Sequence, residues 1–332
     1  MGKTASFLIV LLMVSLCLGS QTMAQQNVKL AQSGMQFLSV VSDARAAAMA
    51  GAVNTVRMES ASLFFNPACL AESEGMLDFA ASYNLWIADI KHYEGSFSYR
   101  PMSGDIGVFG VSLQFVDYGE ILGTSVADTK IGYTDDGQLN AYALAIGLGY
   151  GKALSDAFSV GGQVKWVMQK LGDSQVPAGG GTEMKTNRAT APAFDFGTIF
   201  KPGFKSFAFG MSVRNFSKEV KFEDQPFELP LTFTLGISMD VMDFMKDRSI
   251  VHSAYLSIDA VHNRDYYEQV KIGGDVNLFD VFDVRAGYLS STDEEGVSLG
   301  FGVHRAGLAV DYAYTPFGVF TNAQRFTVRY SM

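Results

Sequence analysis

Apolar and small or polar residues take turns along most of this chain. Tyr142, Leu144, Ile146, Leu148 and Tyr150 share one face, while Ala141, Ala143, Ala145, Gly147, Gly149 and Gly151 share the other. Leu231, Phe233, Leu235, Ile237 and Met239 oppose Thr232, Thr234, Gly236 and Ser238 in the same way. Period two is the signature of a strand with two unlike faces, because successive side chains point to opposite sides of a pleated backbone. The spacing predicts about fourteen strands, near 76–84, 93–100, 105–115, 140–152, 157–170, 191–200, 206–215, 230–239, 252–261, 268–278, 283–290, 296–304, 307–315 and 323–331. Many approach the roughly 9–11 residues that a tilted strand needs to cross a bilayer.

Charge placement separates the two faces. Asp78, Glu94, Lys165, Asp195, Arg214, Asp259, Lys271, Asp275, Arg285, Asp311, Arg325 and Arg329 all fall on the polar one. A basic side chain facing lipid at mid-bilayer costs about 2–4 kcal/mol, so this segregation fits a lipid-facing exterior and an ionic lumen. Acids and bases mix, so the lumen can neutralise itself by ion pairing. A soluble β-sandwich alternates too, and connection lengths tell the two apart. Pro101–Gly104, Ala153–Asp156, Lys201–Lys205, Phe279–Phe282 and Arg305–Ala306 are short; Val116–Leu139, Leu171–Thr190, Ser217–Leu229 and Thr315–Asn322 are long. Short turns at one end and long loops at the other are the habit of a transmembrane barrel. Asp240–Val251 is long on the short side, and its Val241, Met242, Phe244 and Met245 suit an amphipathic turn at the membrane surface.

The fold class expected is therefore all-β: a transmembrane antiparallel β-barrel with an N-terminal helical hatch in its lumen. Residues 1–24 read as an export signal, with Lys3 ahead of the apolar run Phe7–Leu18 and a small-residue cleavage site at Thr22-Met23-Ala24. The bulky Leu16 before Cys17 disfavours a lipoprotein signal. Residues 25–75 form the expected hatch and 76–332 the barrel, placed in the cell outer membrane against its lipid. No segment reaches the roughly 18 apolar residues of a membrane-spanning helix.

Composition sharpens this picture. The 332 residues are 48% apolar and only 18% charged, with 34 glycines, 26 Phe and 14 Tyr. That is too apolar for a disordered chain. A net charge of −9 lacks the basic footprint of a nucleic-acid binder. Cys69 is left alone once the leader is removed, and reads as a small apolar packer.

Residues 25–75 do not alternate. Ser42 or Asp43 caps a short helix through Ala50, ended by Gly51-Ala52, and Ser62–Ala71 leads into the first strand. The run Asp43-Ala44-Arg45-Ala46 through Met49-Ala50-Gly51-Ala52, the run Leu63-Phe64-Phe65-Asn66-Pro67-Ala68-Cys69-Leu70-Ala71, and the later Val284–Tyr288 and Ala309–Gly318 resemble the PorV/PorQ family, a branch of the FadL-like outer-membrane proteins. Asp43, Arg45, Met49, Gly51, Asn66, Pro67 and Ala68 carry the hatch motif. Cys69 and Ala50 stand where the family has glycine, which raises the question of whether a Cβ alters the turn there. The resemblance implies a fourteen-strand barrel with a lumenal hatch. It also implies one of two activities: type IX secretion, with secretion-machinery proteins or cargo C-terminal signal domains as partners, or passage of a hydrophobic ligand.

Chemical sites are scarce. Gly147–Gly151 lacks a phosphate-loop lysine, and Gly179-Gly180-Gly181 reads as loop punctuation. His92, His252, His262 and His304 have no metal-ligand spacing. Asp135-Asp136 and Asp293-Glu294-Glu295 read as solvated loop charge. No cofactor motif appears and no enzymatic activity is expected. Asn66-Pro67 is first a turn former, with contact to a ligand at a constriction as the alternative. Arg45 is expected to pair with Asp195 or Asp275. Phe37, Phe64 and Phe65 make a conduit for hydrophobic compounds the competing function, and a purely structural outer-membrane protein is the third.

Overall fold

The computed structural model describes residues 33–126, 130–178, 181–222, 225–245, 248–292 and 295–332. The export-signal reading of residues 1–24, the acidic pair Asp293-Glu294 and the glycines Gly179-Gly180 lie outside them.

Fourteen antiparallel strands close a barrel: β1 (Leu77–Leu85), β2 (Lys91–Tyr99), β3 (Val108–Asp117), β6 (Tyr142–Ser155), β7 (Phe158–Ala178), β8 (Gly181–Phe200), β9 (Ala208–Phe216), β12 (Thr232–Asp240), β13 (Val251–Asn263), β14 (Gln269–Leu278), β15 (Phe282–Leu289), β16 (Val297–Arg305), β17 (Leu308–Thr315) and β18 (Ala323–Ser331). Each pairs with its sequence neighbour in the wall, and β18 closes onto β1, with Phe79 opposite Tyr330 and Tyr83 opposite Phe326. Closure leaves no free edge within the wall, the condition for crossing a bilayer with strands. Outward positions are apolar and exposed: Val111, Leu113, Ile146, Leu148, Val284 and Phe301 among them. Aromatic rings gather toward both ends of this band. Tyr83, Tyr93, Phe115 and Tyr142 form a chain of ring contacts near the loop end, and Phe109 meets Tyr150 near the turn end. Such girdles mark the two interfaces of a transmembrane barrel.

The short-side connections are turns as expected. In the exceptional one, a single 3-10 turn at Val241–Phe244 is capped by Asp240, whose carboxylate accepts from the Met242 N–H at 2.9 Å. Phe244 and Met245 stand exposed there, as an amphipathic turn requires.

The long side departs from expectation. Leu171–Thr190 is no loop: β7 and β8 continue as one paired ribbon beyond the rim, past an irregularity at Lys170/Gly172. Polar side-chain links hold it, two of them across the strands. Asp173 accepts from Lys170 at 2.9 Å and Thr186 at 2.6 Å, and Asn187 donates to Ser174 at 2.9 Å. The Thr186 and Lys170 hydrogen bonds keep the Asp173 carboxyl below the ordinary range. Val116–Leu139 contains a second hairpin, β4 (Ile121–Val126) with β5 (Tyr133–Leu139), and Ser217–Leu229 a third, β10 (Val220–Phe222) with β11 (Gln225–Phe227). Gly and Thr within β4 and β5, and the shortness of β10 and β11, hid them. The β4–β5 hairpin and the β7–β8 ribbon lack the contrast of faces that marks wall strands, whereas β10 and β11 bring Val220, Phe222 and Phe227 to an apolar cluster.

An Ile146→Arg barrel, with the charge placed midway along the apolar band of β6, is expected to unfold with about 2–4 kcal/mol less stability in lipid vesicles. Ile146→Thr should lose markedly less. Urea titration of the two variants checks the assignment of the lipid face.

Candidate functional site

The segment ahead of β1 fills the lumen. It enters at the loop end, where Ser33 bridges Glu228 and the Gly34 N–H donates to the Glu228 carbonyl at 3.0 Å. A 3-10 turn at Gln36–Ser39 places Phe37 and Leu38 in an apolar cluster with Met35, Val220, Leu229 and the inward alanines Ala189, Ala191 and Ala193. That cluster caps the mouth of the barrel. Helix α1 (Ala44–Ala48) follows, with Asp43 as its N-cap accepting from the Ala46 N–H at 2.9 Å. So small a helix persists because its N-terminal end is tied to the wall. The Ala44 N–H donates to Thr327 Oγ1 at 2.8 Å, and Arg329 reaches Asp43 at 3.3 Å.

Alanine and glycine make this fit possible. Ala48 lies on Gly300, Met49 and Ala50 run across Gly287, and Pro67 rests on Gly161. A Cβ on any of those glycines would collide with the hatch. The inward glycine and alanine stripes of the strands are thus the imprint of a backbone lying against them.

The departures from the family pattern resolve differently. Ala50 adopts a left-handed conformation (φ 53°), the conformation in which a Cβ is strained. Cys69 sits in the 3-10 turn Pro67–Glu72 with no positive φ, so glycine is not needed there. Its Sγ lies 3.5 Å from the Asn54 carbonyl, fully enclosed, and burial pushes the thiol up. Asn66 is the turn former expected: its Oδ1 caps the Ala68 N–H at 3.0 Å, and its Nδ2 donates to the Asn54 carbonyl at 2.9 Å. Its carboxamide also lies on Gly197 of the wall.

All of the charges assigned to the lumen turn inward. Arg45 selects Asp275, at 3.0 Å, while Asp195 is held by Lys165 at 2.8 Å. Arg285 is the hub of the larger network, reaching Asp275 and Asp283 at 3.1 Å each and also Asp311. His304 approaches Asp283 at 2.9 Å. Asp78 accepts from Ser60 of the hatch, and Asp259 from the Asn54 N–H at 3.0 Å. Arg214 donates to the Phe64 carbonyl, and Glu94 accepts from Gln114 at 2.8 Å. Lys271 lies beside Gly51, where an added Cβ would meet its Nζ. Arg325 bonds the Val41 carbonyl at 2.7 Å and lies over the Trp86 ring. Most of the charged wall is thereby matched to the hatch or to itself, as buried charge requires.

Sequence reasoning missed Asn54. Its side chain accepts from Ser212 at 2.7 Å and donates to the Gly210 carbonyl at 3.0 Å, while its backbone N–H bonds Asp259. The facing Gly236 was the signal, since it leaves room for Asn54, as Gly210 does for the neighbouring Thr55.

An enclosed cavity between hatch and wall, lined by Leu38, Leu63, Phe64, Glu94, Lys165 and Arg214, measures about 10 Å³. That is about the minimum for one water. Phe37 and Phe65 are buried in packing, while Phe64 lines the cavity. Among the described residues, no group of three or more His, Cys, Asp or Glu side chains is placed to hold a metal ion.

A lumenal hatch in a fourteen-strand wall can be compared with known proteins. The family model for the type IX secretion system membrane protein PorP/SprF matches residues 60–322, from the later part of the hatch to the residue before β18. The chain belongs to the PorP/SprF family. Among solved structures, the Ralstonia pickettii toluene transporter TbuX superposes with a TM-score of 0.60 at 12% identity, covering 92% of this chain and 99% of that one. The Pseudomonas putida toluene transporter TodX gives 0.58 at 13% identity, covering 91% and 98%. A Pseudomonas aeruginosa FadL homologue gives 0.51 at 12%, covering 87% and 98%. At such identities these likenesses establish a shared FadL-like fold. No curated protein matches the chain. The family model that matches is that of PorP/SprF and not of the PorV/PorQ branch expected from the hatch motifs.

Two measurements test the packed lumen. Arg285→Ala leaves three aspartates without their common cation and should cost about 3–5 kcal/mol in vesicle unfolding, the usual penalty for stranding buried charge. Cys69 should resist a maleimide in the folded barrel and react fully once heated in SDS. Rapid labelling of the native protein would contradict the enclosed hatch.

Proposed function

We propose that this PorP/SprF-family barrel is a type IX secretion component of the outer membrane that receives or hands on exported cargo at its loop end. In this reading the leader at residues 1–24 exports the chain, and the barrel performs no chemistry of its own. The observation that carries the proposal is the match to the PorP/SprF model over most of the chain, joined to a hatch that packs against the inner wall of the barrel. A barrel with a filled interior has its ends to work with. The loop end carries three hairpins beyond the rim, and these offer surface to a partner.

The PorV/PorQ resemblance of the hatch supports the same role and points to cargo C-terminal signal domains as partners. A second reading has its own support. The shared fold with two toluene transporters and the apolar cluster at the mouth favour a FadL-like conduit for hydrophobic small molecules, opened by movement of the hatch.

Deletion of the gene in a type IX-competent host should leave specific secreted proteins inside the cell, and in-membrane crosslinking should copurify cargo or secretion proteins with the tagged barrel. Normal secretion in the deletion strain with no crosslinked partner overturns the proposal. Accelerated toluene entry into vesicles carrying the barrel would instead favour the conduit.

A further inference from the structure

The outer part of β8 is a strand edge without a strand partner. β7 pairs it along its whole length, but β9 pairs it only from Phe194 to Phe200. Among the described residues, nothing continues the ladder on that side above Phe194. The Lys201 N–H bonds the Ala157 carbonyl across the β7–β8 turn, so odd-numbered residues exchange hydrogen bonds with β7. Backbone bonds of an antiparallel strand alternate sides. The N–H and C=O groups of Thr186, Arg188 and Thr190 therefore point away from β7, at the free edge. Pro192 follows in the same phase and has no N–H to offer, as is usual of proline on an edge strand.

This edge borders a groove of about 390 Å³ between β8 and the Lys218–Lys221 segment. Arg188, Lys218 and Lys221 face it, with Glu219 as the single acid. Three cations to one anion is a local reversal in a chain whose net charge is −9. Strand edges recruit extended chains by completing the hydrogen-bond ladder, while side-chain pockets set which sequence is accepted.

We propose that the β8 edge from Thr186 to Thr190 binds an extended acidic peptide by strand addition, its carboxylates facing Arg188, Lys218 and Lys221. This rests on the cargo-receiving reading above and names the site and the chemistry of what is received. Anionic lipid headgroups would answer the cations alone; a peptide answers the cations and the backbone together.

The test uses the full barrel in detergent with a fluorescent decapeptide of alternating Val and Glu, read by anisotropy. Thr190→Pro removes an edge-facing N–H and no bond to β7, and should weaken binding roughly tenfold or more. Arg188→Glu with Lys221→Glu should weaken it similarly. The same peptide N-methylated at alternate residues keeps its charge and should fail to bind. Equal binding of the methylated peptide, or of the Thr190→Pro barrel, overturns strand addition and indicates a purely electrostatic contact, such as a lipid phosphate makes. Heat-modified gel mobility verifies that each variant is folded. In the host, secretion lost on gene deletion but normal with Thr190→Pro overturns the edge site and leaves the secretion reading standing; secretion unaffected by deletion overturns that reading itself.

Discussion

A strand wall in a bilayer must satisfy every polar group from within, because hydrocarbon offers neither hydrogen bonds nor counter-ions. The rest of this molecule follows from that constraint. Closure of β18 on β1 pairs the backbone. Alternation sends the apolar face to lipid and the charges to the lumen. The charges then need partners in a space that excludes bulk water. Arg285 meets three aspartates within the wall, while Asp43, Arg45, Asn54 and Ser60 bring the hatch to Arg329, Asp275, Asp259 and Asp78. The hatch is thus part of the electrostatic balance of the barrel as well as an obstruction within it.

The hatch also dictates composition. A backbone can lie against a β-wall only where the wall lacks side chains, and Gly161, Gly197, Gly287 and Gly300 provide such tracks. The hatch answers with small residues of its own, most plainly in α1. At Ala50 the fit puts a Cβ where glycine would sit more easily, and Met35 and Glu59 of the hatch share that left-handed conformation. Such close packing confines function to movements of the whole segment or to the surfaces at the two ends. The loop end, with its projecting ribbons and an open strand edge, is the better endowed of the two.

Much of this was legible in the residues because a membrane barrel imposes a strict code. Ile146 and Lys165 occupy faces that hydrocarbon and water would not let them exchange, so period and strand number could be read with few errors. The hatch was legible as a capped helix followed by an Asn-Pro turn, since Asp43 and Asn66 act through neighbours two or three residues away. Contacts distant in sequence were legible only in kind. Arg45 needed an acid, yet period alone left Asp195 and Asp275 equally open. The ribbon continuing β7 and β8 escaped notice because both its faces are wet: Thr186 and Asn187 bond across it rather than packing into a core, so no alternation announces them.

The most direct measurement of the account is the conductance of the intact barrel in a planar lipid bilayer. A hatch tied to all sides of the wall should leave the membrane without a steady ion current, and removal of residues 33–75 should open one. A large, stable current through the intact protein would contradict the filled lumen on which the account depends.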